Sequence, residues 1–312
     1  MSGLNPSNVT IIHPDLGIGG AERLIIDVAL ALQNRGHRVT IYTSHRDTSH
    51  CFDEAQDGTL DVRVRGNTIF PAHVCGRLHV LMAVLRQLHL TISVLNELDV
   101  KDRNTQKPDE KEVSKNVTDD IFIIDQLPAC APILKSLGTK FARSRQRILF
   151  YCHFPDQLLA RRNEEGSVLR VAKILYRFPF DWFEGWAMSA VDRVVANSRF
   201  TRGVVNGVFG SGSLGDVRVV YPCVDTQAKP PPGVKVEGGD GGEKLWGGMK
   251  ILLSINRFER KKDMGLAIRA YYGLGAEKRR GTRLVIAGEF CSFVLVCLGG
   301  LVVLMLAIRR LR

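Results

Sequence analysis

Along most of the chain, short apolar runs alternate with longer stretches of helical spacing. Val9-Thr10-Ile11-Ile12 is one such run and Val39-Thr40-Ile41-Tyr42 the next. Between them Leu24, Ile25, Val28, Ala29 and Leu32 repeat at the spacing of one helix face within Ala21 to Gln33. Gly36 provides a left-handed stop. Run, helix, run is a βαβ unit with parallel strands. The alternation predicts further strands at Leu60 to Val64, Ile121 to Ile124, Ile148 to Tyr151, Val194 to Ala196 and Val217 to Val220. It predicts long helices over Gly76 to Asn96 and Val168 to Ala190. The fold class expected is α/β.

Three segments break the pattern. Glu97 to Asp120 is dense in mixed charge and reads as a solvated surface insertion. Thr226 to Gly248 is rich in Pro and Gly and reads as a linker. The domains expected are therefore 1–225, a linker over 226–249, and a second α/β unit over 250–288. That unit has a strand at Ile251 to Ile255, a helix at Met264 to Tyr272 and a strand at Arg283 to Ala287. It holds fewer elements than a complete Rossmann-type half. Phe290 to Ile308 carries no charge, and Arg309-Arg310-Leu311-Arg312 follows as a basic flank. A helix of about 19 residues spans roughly 28 Å, near the ~30 Å hydrocarbon core of a bilayer. An apolar C-terminal helix over 290–308, a candidate transmembrane span, is the expectation.

Composition narrows the partners. Of 312 residues, 45% are hydrophobic and 24% charged, which suits a globular chain. Lys and Arg number 43 against 32 Asp and Glu, for a net charge of +11. That excess favours anionic partners: nucleic acid, phosphorylated small molecules or an anionic membrane surface. No zinc-finger spacing or aromatic RNA-binding motif occurs, so nucleic acid is not expected. The seven cysteines are odd in number and scattered, with no CxxC pair, which points to a reducing compartment. Met1 to Asn8 is polar, unlike a signal peptide, so the body is expected in the cytosol.

Three short segments hold candidate chemistry. Gly17-Ile18-Gly19-Gly20 lies between a strand and a helix start, where free N–H groups and the helix dipole favour phosphate. Such a turn also serves simply to pack strand against helix. Glu22 stands where a dinucleotide fingerprint needs its third glycine, so an NAD site is disfavoured. Tyr151-Cys152-His153-Phe154-Pro155-Asp156 follows a strand, and Pro155 extends the backbone beside His153. A lone histidine is also a common structural residue. Arg257 and Lys262 follow the first strand of the second unit, where an Arg fork and a Lys point charge can clamp a diphosphate. A solvated basic helix start is the plainer reading of that pair.

Taken together, the segments resemble the retaining GT-B glycosyltransferases. The closer resemblance is to the eukaryotic α-1,3/1,6-mannosyltransferases of dolichol-linked oligosaccharide assembly. It rests on HPDLGIGGAERLIIDVALALQNRGHRVTIYTSH (13–45), FYCHFPD (150–156), RFPFDWFEGWAMSAVDRVVANSRFT (177–201), VVYPCVD (219–225) and ILLSINRFERKKDMGLAIRA (251–270), and covers residues 8–288 or so. The resemblance implies a GT-B fold of two Rossmann-like domains, the second incomplete in this chain. It implies GDP-mannose as donor and a dolichyl-diphosphate-linked GlcNAc/mannose glycan as acceptor, mannosylated in successive α-1,3 and α-1,6 steps. Arg257 and Lys262 match the family's pair on the departing diphosphate, His153 the histidine at the transferred sugar, and Gly19 and Gly20 the turn near the phosphates. Gly17 and Asp156 join the substrate-binding set. Neither metal nor cofactor is implied. The place implied is the cytosolic face of the endoplasmic reticulum membrane, with other glycosyltransferases of the pathway as partners.

The resemblance stops at Gly288. The family's second domain continues with a paired-glutamate segment that grips sugar and ribose, and Phe290 to Arg312 does not resemble it. A shortened form is therefore expected, with little transfer of its own. The alternative function is that of a catalytically inactive, membrane-tethered fragment acting as scaffold or regulator. Leu175 to Trp186 crowds aromatic residues in a way that suits either a bilayer interface or an interdomain core.

Overall fold

The computed structural model describes residues 6–71, 73–74, 78–104, 119–141, 145–159, 167–223, 249–256, 262–287, 296–298 and 301–303. The chain forms two compact units, Met1–Thr226 and Gln227–Arg312.

The first unit is built on strands β1 (Asn8–His13), β2 (Arg38–Thr43), β3 (Asp61–Val64), β4 (Asp119–Asp125), β5 (Arg145–Cys152), β6 (Arg193–Ala196) and β7 (Arg218–Val219). They form one sheet in the order β3-β2-β1-β4-β5-β6-β7, and every pairing is parallel. The chain steps outward from β1 through β2 to β3, then returns to lay β4 on the other side of β1. The strand order thus reverses between β1 and β4, and in open parallel sheets that reversal opens a crevice at the carboxyl ends of the strands.

Helices α1 (Gly20–Gln33), α2 (His79–Asn104), α3 (Ala131–Phe141), α4 (Asp156–Leu159), α5 (Ser167–Ser189) and α6 (Arg199–Phe209) connect the strands. Side chains of a strand alternate between the two faces. Val9 and Ile11 of β1 accordingly pack with Ile25, Ile26 and Ala29 of α1, while Ile12 packs with Leu90 of α2 and Leu134 of α3. Burial on both faces is why the central runs lack polar alternation. Phe122 in β4 is 1% exposed, and burying such a ring contributes roughly 2–3 kcal/mol.

One expectation is corrected here. The charge-rich stretch from Glu97 does not begin an insertion, because α2 continues to Asn104. Glu97 accepts hydrogen bonds from the Tyr42 hydroxyl at 3.2 Å and Arg65 Nε at 2.9 Å, and also from Arg63. Helical spacing persists through Val94, Leu95 and Leu98 against the core, and Glu97 on the same helix is held by Tyr42, Arg63 and Arg65. The remainder of that stretch, 105–118, lies outside the described residues.

The second unit carries β8 (Lys250–Ile255), β9 (Thr282–Ala287), β10 (Val296–Leu298) and β11 (Leu301–Val303) in the order β10-β11-β9-β8, with α7 (Met264–Tyr272) and α8 (Ala276–Arg279). Tyr271, Leu284 and Ile286 form its buried cluster, against Met264 and Ile268. The linker over 226–249 falls almost wholly outside the described residues.

A second correction concerns the apolar tail. Where 290–308 is described it is strand: β10 and β11 pair antiparallel, with Leu298 opposite Leu301, and β11 pairs parallel with β9. No helix among the described residues is long and apolar enough to cross a membrane. The physical reason lies in the residues: Gly299-Gly300 is poor in a helix and is a two-residue hairpin signal. Valines on both sides favour the strand, and the edge of β9 offers a ladder to pair with.

Candidate active site

The crevice between β1 and β4 is marked by polar residues that end apolar strands. His13 closes β1, Asp125 closes β4, and His153 follows β5. His13 and Asp125 are fully buried. His13 Nδ1 lies 2.7 Å from Asp125 Oδ2, and His13 Nε2 lies 2.9 Å from the Asp15 carbonyl. The other Asp125 oxygen, Oδ1, is 2.6 Å from His153 Nε2, whose ring is 24% exposed. This second contact is close but not aligned as a hydrogen bond, and neither atom has another hydrogen-bond partner. Burial pushes the Asp125 carboxyl up, but the hydrogen bond and charge of His13, with the His153 ring close to its other oxygen, outweigh it and hold it below the ordinary carboxylate range.

His153 is held from other directions too. Its carbonyl accepts from Asn197 Nδ2 at 3.1 Å, and its ring tilts against Tyr151 with centroids 5.1 Å apart. Tyr151 is itself anchored, its hydroxyl donating to the Val220 carbonyl at 2.7 Å. Beside this group Gln126 has φ 63, a left-handed conformation that a side chain rarely adopts. Backbone strain of this kind concentrates at functional sites.

The glycine turn follows β1 at the same edge. Gly19 caps α1 with extended backbone and no side-chain cap bond. Gly17, Gly19 and Gly20 all lie outside the positive-φ region. A Cβ at Gly20 would meet nothing within 4 Å, at Gly17 only the His50 carbonyl at 3.8 Å, and at Gly19 the movable carboxylate of Glu22. Folding therefore does not demand glycine at these positions. The turn places no Cβ over the N-terminal N–H groups of α1, with the Glu22 carboxylate beside Gly19.

Asp156 is committed within the protein. Arg177, 5% exposed, donates to Asp156 Oδ2 at 2.8 Å and to Asp181 Oδ1 at 3.1 Å. The neighbouring Glu184 accepts from the backbone N–H of Asp156 at 2.8 Å and of Gln157 at 3.2 Å, capping α4. Burial, with the Asp156 charge adding to it, pushes the Glu184 carboxyl up to about 7, against those two N–H bonds and Arg177.

A raised carboxyl binds its proton more tightly folded than unfolded. Its contribution to stability is full below about pH 4.5 and is lost as pH rises through about 7, a change of about 3 kcal/mol. Asp125 works in the opposite sense, contributing above the ordinary carboxylate range and losing that contribution as pH falls. Urea unfolding from pH 4.5 to 8 separates the two. Glu184→Gln is expected to remove the decline between pH 4.5 and 7, and parallel curves for variant and wild type would disprove it.

Of the other site residues expected from sequence, Arg257 lies outside the described residues. Lys262 is exposed in the second unit, just ahead of α7, and makes no ion pair among the described residues. His13 and Asp125 were not singled out from sequence. The signal was available: each is the charged or titratable residue that ends an apolar strand run. Among the described residues no group of three or more His, Cys, Asp and Glu could hold a metal ion.

Comparisons with known proteins agree on the class. Residues 122–228 match Glycosyltransferase Family 4. The alpha-1,3/1,6-mannosyltransferase alg-2 of Neurospora crassa is 44% identical over 90% of this chain and 55% of its own length. Its counterpart in Saccharomyces cerevisiae is 40% identical over 90% of this chain and 50% of its own. The chain thus spans about half the length of the curated relatives it matches. Among solved structures, the catalytic domain of starch synthase IV from Arabidopsis thaliana superposes with a TM-score of 0.56 at 14% identity, over 92% of this chain and 69% of that one. Trehalose 6-phosphate synthase from Burkholderia multivorans gives a TM-score of 0.51 at 17% identity, over 91% and 64%. At such identities these two speak for the fold alone, an α/β glycosyltransferase fold of the GT-B kind. By sequence the chain is a homologue of the alpha-1,3/1,6-mannosyltransferases, over about half their length.

Proposed function

We propose that the protein serves mannosyl transfer from GDP-mannose to a dolichyl-diphosphate-linked GlcNAc/mannose glycan, adding α-1,3- and then α-1,6-linked mannose in the N-glycan precursor pathway. The observation that carries this is the identity of 40–44% to relatives named for that linkage pair, over 84–94% of this chain. The site chemistry supports it. Bare glycine backbone at the start of α1 suits the acceptor's diphosphate. His153, at the carboxyl edge of the sheet, suits contact with sugar hydroxyls. Arg257 and Lys262 suit the departing GDP, whose charge they stabilise without metal or cofactor.

A membrane surface, the cytosolic face of the endoplasmic reticulum, is part of the same reading. Leu175, Phe178, Trp182 and Trp186 are exposed at helical spacing along α5, and the two indoles stack with centroids 6.5 Å apart. Tryptophan rings on one helix face suit the headgroup level of a bilayer, where the lipid-linked acceptor resides. The other glycosyltransferases of the pathway act on the same lipid and are natural partners there.

One experiment tests the reading. The chain, extended after Gly288 with the rest of a relative's second domain, is purified, mixed with liposomes carrying the lipid-linked glycan and offered GDP-mannose or UDP-glucose. Sedimentation with the liposomes and mannosylated product from GDP-mannose alone are expected. Transfer from the UDP-sugar and none from GDP-mannose would overturn it.

A further inference from the structure

The crevice between β1 and β4 contains a chain of three side chains that the proposed reaction does not by itself explain. His13, Asp125 and His153 come from three different strand ends and meet through both oxygens of one buried carboxylate. The carboxylate has no exposure to solvent, so these two imidazoles stand in place of water.

Counting donors and acceptors assigns the protons. The Asp15 carbonyl can only accept, so His13 Nε2 carries hydrogen. Asp125 is held in its ionised form, as the site geometry above describes, so both of its oxygens accept. His13 Nδ1 therefore donates to Oδ2. The remaining oxygen, Oδ1, faces His153 Nε2 and requires a hydrogen there. A neutral His153 then has Nδ1 as its free acceptor. That atom type suits a sugar hydroxyl, which donates one hydrogen.

We propose that Asp125, braced by His13, is a positioning residue that fixes the ring orientation and the Nε2–H form of His153 at the carboxyl edge of the sheet. The arrangement resembles in logic the way a buried carboxylate orients a catalytic imidazole in hydrolases. Of the two histidines, His13 is buried with the carboxylate. The second is exposed enough to meet a ligand and is clamped through its carbonyl by Asn197. The identity of what His153 touches rests on the mannosyltransferase reading; the orientation of its ring does not.

The test uses the full chain, labelled with nitrogen-15, and reads imidazole N–H protons by NMR. Wild type is expected to show a His153 Nε2–H resonance at low field and protected from solvent exchange, identified by its loss in His153→Ala. In Asp125→Asn that resonance is expected to move to higher field or to vanish into exchange while the backbone amide spectrum stays dispersed. A His153 ring in the Nδ1–H form in wild type, or a resonance unchanged in Asp125→Asn, overturns the proposal. Should Asp125→Asn fail to fold, the wild-type ring form decides alone. Kinetics, read in the chain extended after Gly288 with the rest of a relative's second domain, supply the second arm: Asp125→Asn is expected to lower kcat for mannosyl transfer with little change in donor KM, and to add nothing in a His153→Ala background. The proton signature without any transfer refutes the mannosyltransferase reading and leaves the positioning role standing. Transfer without the signature refutes the positioning role alone.

Discussion

In the chain extended after Gly288 with the rest of a relative's second domain, alanine at Lys262 is expected to lower mannosyl transfer by about 10²–10³-fold, the effect of removing one group that stabilises charge on a leaving oxygen. GDP departs with negative charge that grows toward the transition state, and an ammonium beside it acts more strongly there than on the intact donor. The loss should therefore fall mainly on kcat rather than on donor KM. Lys262 suits this work because it is exposed and uncommitted, while Asp263 next to it is engaged by Arg269 at 3.1 Å. Lys262→Arg keeps the charge but changes a point donor into a planar fork, and is expected to restore only part of the rate. Initial rates with GDP-mannose check both. A Lys262→Ala protein with wild-type kcat would remove this residue from the reaction.

Gly66→Ala is expected to destabilise the first unit by roughly 2–5 kcal/mol, a large share of the 5–15 kcal/mol typical of a whole domain. Gly66 follows β3 with φ +67, where a side chain is already strained. Its Cβ would also stand 2.4 Å from Leu90 Cα and 2.5 Å from Leu90 N. Those are backbone atoms of α2 and cannot rotate aside as a side chain can. Leu90 is fully buried in the main cluster, so displacing its helix loosens packing against β1, β2 and β4. Thermal and urea unfolding measure the loss. Gly20→Ala serves as the control, since a Cβ there meets open space and its φ is not positive; it should change stability little. Equal stability of Gly66→Ala and wild type would refute the close approach.

How much of this was legible in the sequence depended on the kind of signal. Parallel strands and long helices showed in the periodicity, because strands buried on both faces are apolar without a break, as at Ile121 to Ile124. Glu97 to Asn104 reads as a loop from sequence because dense charge hides a helix when its apolar partners on the core side, Leu95 and Leu98, are few. The tail was misread because an uncharged apolar run carries no period to separate helix from strand. Only Gly299-Gly300 argued for the hairpin, and glycine is common in membrane helices as well. At the site, His153 stood out through its local motif. Asp125 and His13 did not, since what makes them notable is that β1 and β4 are neighbours. Nor did the sequence show the ion pair of Asp156, since its partner Arg177 comes from another helix.

The neighbouring of β1 and β4 also governs how the molecule must fold. His13 and Asp125 meet across 112 positions of chain. Closing a loop of that length has an entropic part of roughly 4 kcal/mol that no local contact offsets. β1 can pair with β2 early, across one helix, whereas the β1–β4 ladder must wait for β2, β3 and α2 to be arranged. Parallel sheets of such non-local order fold slowly. Until the centre closes, two long apolar strands stand with unpaired edges, which makes this seam the place where a nascent chain most needs protection from aggregation. The buried carboxylate and its two imidazoles are assembled only when that seam is shut.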